Sequence, residues 1–254
     1  MIKRILFRLL GPEKYLRFVS RMFFFLLKNG FLRNKPEFFN HYMVSKLIRE
    51  GDHVIDIGAN LGYYTVLIAE KAGGGGKVFA VEPVELFRNV LTRNCNGFRS
   101  VEILPYALGE MDGKQISMRI PSGHKNFRHG LTHVSEEKVS ENEDITFKAI
   151  MKHPGGLFGK LARLDYVKCD VEGYEIHILP LMKEIFMNFK PTVQLETGGG
   201  NRKKMLAFFK EMGYKVYLTG RDHLYAAVEM EMLHEGDLIF IHEKAIQNYA
   251  ELIQ

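Results

Sequence analysis

The chain is predicted to be an α/β protein built on a mostly parallel, seven-stranded sheet with helices on both faces. Two observations predict it. From residue 36 onward, short β-rich apolar runs alternate with stretches of helical periodicity, the pattern of a parallel sheet covered on both sides. The first of these runs also passes through glycines straight into a helix, as strands do at the ligand-binding edge of such sheets.

In chain order, residues 38–50 read as a helix stopped by Gly51, 53–57 as the first strand and 62–71 as the helix after it. Residues 73–76 are all glycine and form a flexible turn. Strand 77–81 leads to a helix over 83–94, with Pro83 suited to its first turn, and 101–105 is the third strand. Residues 110–160 interrupt the rhythm, with 114–120 and 144–150 reading as an added antiparallel pair around a polar stretch. The alternation resumes with a strand at 165–170, a helix at 174–188, a strand at 192–196, a helix at 201–212 and strands at 215–219 and 237–242.

At 254 residues, 46% hydrophobic and 26% charged, the chain has apolar material for a sizeable core. Cys95 and Cys169 lie far apart in unrelated contexts, so neither a disulfide framework nor a zinc pattern is expected, and a reducing, cytoplasmic setting is. The net charge of +5 is unevenly spread. Residues 1–35 carry nine Lys and Arg against Glu13 alone, a charge of +8, which leaves −3 for residues 36–254. A body of that sign excludes a broad nucleic-acid footprint.

The N-terminal segment is no membrane span, since its longest apolar run, 22–27, falls far short of the roughly 20 residues required. No small-residue cleavage site follows it, so a secretory leader is not expected. Leu16, Val19, Phe23 and Leu27 recur at helical spacing with Arg17 and Arg21 off that line. Residues 1–35 are thus a basic amphipathic helical segment, either packed on the main domain of 36–254 or lying on the inner face of an anionic membrane.

The segment from Asp56 to Gly62 reads D-x-G-x-N-x-G. A dinucleotide turn would want glycines at 58, 60 and 63, where the chain has Gly58, Asn60 and Tyr63. No Gly-Lys-Ser/Thr follows, so a P-loop is absent as well. A carboxylate inside the turn repels a pyrophosphate and suits a cationic ligand, as the sulfonium and ammonium of S-adenosylmethionine are. Glu82, at the end of the second strand, is placed to accept hydrogen bonds from both hydroxyls of an adenosine ribose. Asp170 and Glu172 follow the strand at 165–170, at the carboxyl edge where open α/β sheets bind ligands.

With these residues in view, the sequence resembles the FkbM family of S-adenosylmethionine-dependent methyltransferases. The resemblance is carried by DIGANLGYYT from Asp56 to Thr65, VEP from Val81 to Pro83, ALG from Ala107 to Gly109, DYVKCDVEGYE from Asp165 to Glu175 and PTVQLE from Pro191 to Glu196. It implies a Rossmann-like class I methyltransferase fold and O-methylation of sugar or secondary-metabolite hydroxyls. Carried over, Asp56, Gly58, Asn60 and Gly62 would cradle the methionine end of the donor, Glu82 would hold the ribose, and Asp170 and Glu172 would face the acceptor. The chain departs from the family at Ile145–Lys148, where an acidic strand is usual and no acid stands.

Methyl transfer to a hydroxyl needs alignment and a base. Asp170 and Glu172 are the candidates for that base, with Glu196 a third; alternatively Asp170 orients a substrate and Glu172 caps the turn that follows. The insertion holds His124, His129, His133 and His153, which either belong to a solvated loop or supply a base from a lid over the acceptor. Asp165-x-x-Lys168-x-Asp170 suggests a magnesium site, but Asp165 and Lys168 should point along a buried strand, and no metal is expected. The expected acceptor is a sugar hydroxyl on a glycan, glycolipid or secondary metabolite. The alternatives are a donor-binding module that has lost turnover and, disfavoured by the glycine spacing, an NAD-dependent oxidoreductase.

Overall fold

A computed structural model describes residues 2–120, 133–134, 145–227 and 236–254. The main sheet joins β1 (His53–Ile57), β2 (Lys77–Val81), β3 (Val101–Leu104), β8 (Tyr166–Cys169), β9 (Thr192–Glu196), β10 (Tyr214–Thr219), β11 (Leu224–Ala226) and β12 (Asp237–His242). Their order is β11-β10-β12-β9-β8-β1-β2-β3. The five strands from β3 to β9 run parallel, and β12 enters antiparallel between β9 and β10. The sheet has eight strands where seven are expected, because β11 folds back on β10 as a short antiparallel edge. Three residues are too few to show an alternating pattern.

After β1 the chain winds outward through β2 and β3, then crosses back to lay β8 on the other side of β1. The carboxyl ends of β1 and β8 therefore frame the point where winding reverses, the place at which open α/β sheets bind ligands.

Period-two alternation sends the strands' apolar residues to both faces. Ile55, Ile57, Val167 and Cys169 meet α5 (Pro154–Phe158), α6 (Glu175–Ile178), α7 (Lys183–Phe189) and α8 (Gly199–Glu211) in one cluster. Val54, Tyr166, Ile239 and Ile241 meet α2 (Phe39–Leu47) and α3 (Tyr63–Ala72) in another. The helix expected over 174–188 is split into α6 and α7 by a 3-10 turn at Leu179–Met182, since Pro180 cannot donate a helical hydrogen bond.

The second face also carries polar residues. Asp56, Lys168 and Gln194 are direct neighbours across β1, β8 and β9, and all three are almost fully buried.

A second, smaller sheet holds β4 (Tyr106–Leu108), β5 (Gln115–Ile120), β6 (His133–Val134) and β7 (Ile145–Lys152) in the order β4-β7-β5-β6. The antiparallel pairing of β5 with β7 is the pair expected for the insertion. Pro105 separates β3 from β4 and lets the chain leave the main sheet.

The N-terminal helix α1 (Ile2–Lys28) is longer than its apolar spacing indicates and is broken at Gly11, whose φ of 72° and ψ of 167° are not helical. Pro12 restarts it, a position where the missing N–H costs nothing. Beyond the break, Leu16 is wholly buried against Val84, Phe87 and Val90 around α4 (Glu85–Asn94), and Leu27 is buried against α2 and α3. No described helix is long and apolar enough to cross a membrane.

Leu16→Ala should cost about 2–5 kcal/mol of stability, the range for a large-to-small change at a closed core site. Urea unfolding followed by circular dichroism should show one transition shifted to lower denaturant. Two separated transitions would mean that α1 is not part of the cooperative unit.

Candidate active site

The turn after β1 is shaped by three residues at positive φ: Gly58 at 79°, Asn60 at 50° and Gly62 at 87°. Glycine adopts that region freely and asparagine more readily than most residues, which accounts for their alternate spacing. Gly58 meets a second demand. A Cβ there would sit 1.9 Å from the main-chain oxygen of Asp170, so the ends of β1 and β8 approach more closely than any side chain permits.

A cleft open to solvent lies over this junction. Its walls come from Ile57 at the end of β1, Gly58 and Asn60 after it, Glu82 and Phe87 after β2, Asp170 and Glu172 after β8, and Leu108 and Met118 from the small sheet.

Glu82 is buried, and both its oxygens are engaged from behind. Oε2 accepts from the Asn60 N–H and Oε1 from the Val84 N–H, each at 2.8 Å. Burial pushes its pKa up to about 7, against the pull of those two amides and of Arg88. A carboxylate has about four acceptor sites, so two remain for donors entering the cleft.

Asp56 sits beneath the turn and not in the cleft wall. It is completely buried, its Oδ2 accepts from Thr65 Oγ1 at 2.6 Å, and its Oδ1 has no hydrogen-bond partner among the described residues. Gly62 likewise stands back from the cleft, as the N-cap of α3. Gly58 and Asn60 are the residues of the turn that reach the cavity.

Lys168 lies 2% exposed with its Nζ 2.9 Å from Asp170 Oδ2 and 4.5 Å from the centre of the Tyr64 ring. Burial alone would lower its pKa, but Asp170, Asp56 and Asp237 outweigh that and hold it above the usual lysine range. His41 stacks on Tyr64 with ring centres 4.3 Å apart, and burial, then Lys168, lower its pKa to about 3. Sequence reasoning missed both rings, because they sit on α2 and α3 and only the packing of those helices aims them at Lys168.

Glu172 takes a left-handed backbone conformation at φ 53° and faces the cleft. Partial burial, then Asp170 and Glu175, raise its pKa to about 7. The turn after it is closed by Glu175, whose Oε1 accepts from the N–H groups of Val171 and Gly173. That corrects the alternative reading of Glu172 as the cap. Glu196 stands at the end of β9, and partial burial followed by the charges of Asp170 and Asp237 lifts its pKa to about 8.

His153 caps α5 through Nδ1, which accepts from the Gly155 N–H. His124, His129 and the side chain of His133 lie outside the described residues. Asp165 points to the far end of β8, where it accepts from the His53 N–H and pairs with Arg163. No cluster of metal-ligating side chains occurs among the described residues.

The Methyltransferase FkbM domain matches residues 56–216. The chain belongs to the FkbM methyltransferase family.

The family match spans the turn, Glu82, Asp170, Glu172 and Glu196 together. A curated relative, the protein-L-isoaspartate O-methyltransferase of Methanocella arvoryzae, is 40% identical over 60 residues, 22% of this chain and 31% of the relative. Among solved structures, the FkbM methyltransferase of Methylobacillus flagellatus is 12% identical, with 93% of this chain and 58% of that chain covered and a TM-score of 0.46. The S-adenosylmethionine-dependent O-methyltransferase of Thermotoga maritima is 17% identical, with 78% and 62% covered and a TM-score of 0.44. The family assignment rests on the domain match.

The cleft of this FkbM chain fits S-adenosylmethionine in its chemistry. Glu82, Asp170 and Glu172 line it, and no Lys or Arg does among the described residues. A pyrophosphate would be repelled there, whereas a sulfonium and an ammonium are complemented.

Lys168→Met should destabilise this FkbM protein by about 3–5 kcal/mol, because Asp56, Asp170 and Asp237 lose a buried counter-charge. Chemical denaturation of wild type and variant at neutral pH measures this. A loss under 1 kcal/mol would show that the acids do not depend on the ammonium.

Proposed function

We propose that the protein transfers the methyl group of S-adenosylmethionine to a hydroxyl of a sugar-bearing acceptor, on a glycan, glycolipid or secondary metabolite. The observation that carries this reading is Glu172, a cleft-facing carboxyl poised near neutrality beside the ion-paired Asp170. A hydroxyl must lose its proton to be methylated, and a base with a pKa near the working pH does this best.

S-adenosylmethionine supplies a methyl carbon already activated on a positive sulfur, which leaves with the electron pair when the acceptor oxygen bonds that carbon. Glu82 accepts the two ribose hydroxyls on the oxygen lone pairs that Asn60 and Val84 leave free. Asp170, held by the Lys168 ammonium, is fixed as a positioning group. Glu172 then takes the hydroxyl proton on its carboxylate and returns it to solvent. An acceptor rich in phosphate, including nucleic acid, is disfavoured by the acids of the cleft.

Two measurements test the scheme. Calorimetry with S-adenosylhomocysteine should give a Kd that tightens as pH rises through about 7, because ionised Glu82 is the better acceptor for hydroxyls. Glu82→Gln should bind at least about tenfold more weakly and lose that pH dependence, tenfold being about 1.4 kcal/mol. Equal affinity in wild type and variant would remove Glu82 from the donor site.

A labelled-methyl screen across cell-envelope glycans and hydroxylated metabolites should then find the acceptor. On that acceptor, kcat should rise with pH through about 7 as Glu172 loses its proton. Glu172→Gln should lower kcat by roughly 10²–10⁴ and abolish that limb while leaving S-adenosylhomocysteine affinity nearly unchanged. Turnover that survives in Glu172→Gln, or a methyl found on nitrogen, would overturn the reading.

A further inference from the structure

The second half of α1 has two opposite apolar sides. Leu16, Ser20 and Leu27 are buried in the protein. Phe18, Met22 and Phe25, spaced at i, i+4 and i+7, form a row on the other side, and they are 44%, 42% and 57% exposed. Leu9 before the Gly11 break is 77% exposed, and Phe31 after the helix is 64% exposed with its ring 6.4 Å from that of Phe25. A helix packed only for stability has no use for large apolar side chains on its outer face.

Charge identifies what covers them. Arg17 and Arg21 form a row beside the exposed apolar one, Lys14 and Lys35 are exposed on the same segment, and Lys28 and Arg33 are paired with Glu70 and Asp222 of the main domain. The one acid of the segment, Glu13, faces Arg93 at 3.7 Å. A second copy of the chain docked symmetrically on this face would bring two segments of +8 together, so self-association is opposed. Apolar rings flanked by cations on a helix unable to span a bilayer match an interfacial, anionic environment.

We infer that the outer face of α1, with Leu9, Phe18, Met22, Phe25 and Phe31 as its apolar contacts and Arg17 and Arg21 as its cations, docks the protein on an anionic lipid surface. The face is linked to the cleft through α4. Leu6, Phe7 and Leu10 of the first half of α1 share a cluster with Phe87, and Phe87 also lines the cleft. Docking therefore holds the cleft, through α4, in a set orientation to the membrane surface, where a lipid-linked hydroxyl acceptor would lie. This last step alone rests on the proposed function.

The test is co-sedimentation of the full chain with vesicles of phosphatidylcholine alone and of phosphatidylcholine mixed with phosphatidylglycerol. Binding is expected to the mixed vesicles, weaker at high salt and weaker still to neutral ones. Phe18→Ser with Phe25→Ser should reduce partitioning at least about tenfold. Arg17→Gln with Arg21→Gln should reduce it about fivefold per charge removed and flatten the salt dependence. Both doubly substituted proteins should retain wild-type melting and S-adenosylhomocysteine affinity, which separates a failure of docking from a failure of folding or of the donor site. The inference is overturned if wild type does not sediment with the mixed vesicles, or if the phenylalanine variant sediments like wild type. It is equally overturned if light scattering shows a dimer that the phenylalanine variant loses while vesicles go unbound.

Discussion

Burying a lysine ammonium at the centre of a parallel sheet costs several kcal/mol unless acids surround it, and the carboxyl edge of this sheet is arranged to meet that requirement. Lys168 is adjacent to Asp56 on β1 and Gln194 on β9, and its Nζ reaches forward to Asp170. Gln194 in turn donates to Asp237 on β12 and accepts from Tyr166, so four strands are tied by one polar layer. The ammonium thereby fixes where β8 ends relative to β1. That position brings the Asp170 carbonyl so close to Gly58 that no other residue fits. The turn after β1 and the acids after β8 are thus two ends of one electrostatic assembly.

Glu82 and Glu172 share a cause of their raised pKa values, burial, and differ in what opposes or reinforces it. Around Glu82 the neighbouring amides and Arg88 pull the value down, so the carboxyl stops at about 7. Around Glu172 the next contributions are Asp170 and Glu175, which push it up to a similar value. A cation entering the cleft relieves both, since it favours the charged form of each acid it approaches. Linkage makes this reciprocal: a ligand that ionises Glu172 binds more tightly where Glu172 is already ionised. A positively charged donor would therefore prepare the base for its own acceptor, which a neutral product such as a thioether would not do.

Much of this layout was legible in the sequence because it depends on local patterns. The apolar runs that became β1, β2, β9 and β12 had their ends marked by glycine, proline or acids, and they lie at the predicted residues. Gly58, Asn60, Glu82, Asp170 and Glu172 could be singled out because a strand end followed by glycine or an acid has few structural uses. What escaped depends on contacts distant in sequence. The depth of Asp56 is set by Thr65 and Lys168, and the ring pair His41–Tyr64 is assembled from two helices. The capping role of Glu175 could have been inferred, since an acid two residues after Gly173 stands within reach of that residue's N–H. The choice between Asp170 and Glu172 as base was open in the motif, and only the ion pair with Lys168 separates them.

The N-terminal helix shows the same limit from the other side. Its spacing of Leu16, Phe23 and Leu27 announced an inward face, and its cations announced an affinity for negative charge, so packing on the domain and lying on a membrane looked like rival readings. The structure removes the rivalry, because the two demands fall on opposite sides of one helix. Leu16 and Leu27 anchor it to the domain, while Phe18, Met22 and Phe25 face away. A helix already held in place by its inner face loses no further conformational entropy when its outer face meets a surface. A free amphipathic peptide must order itself at that moment, at roughly 1–2 kcal/mol per residue of backbone. Pre-ordering on the domain lets a short row of apolar side chains suffice, and it fixes the orientation of the cleft relative to whatever the helix contacts.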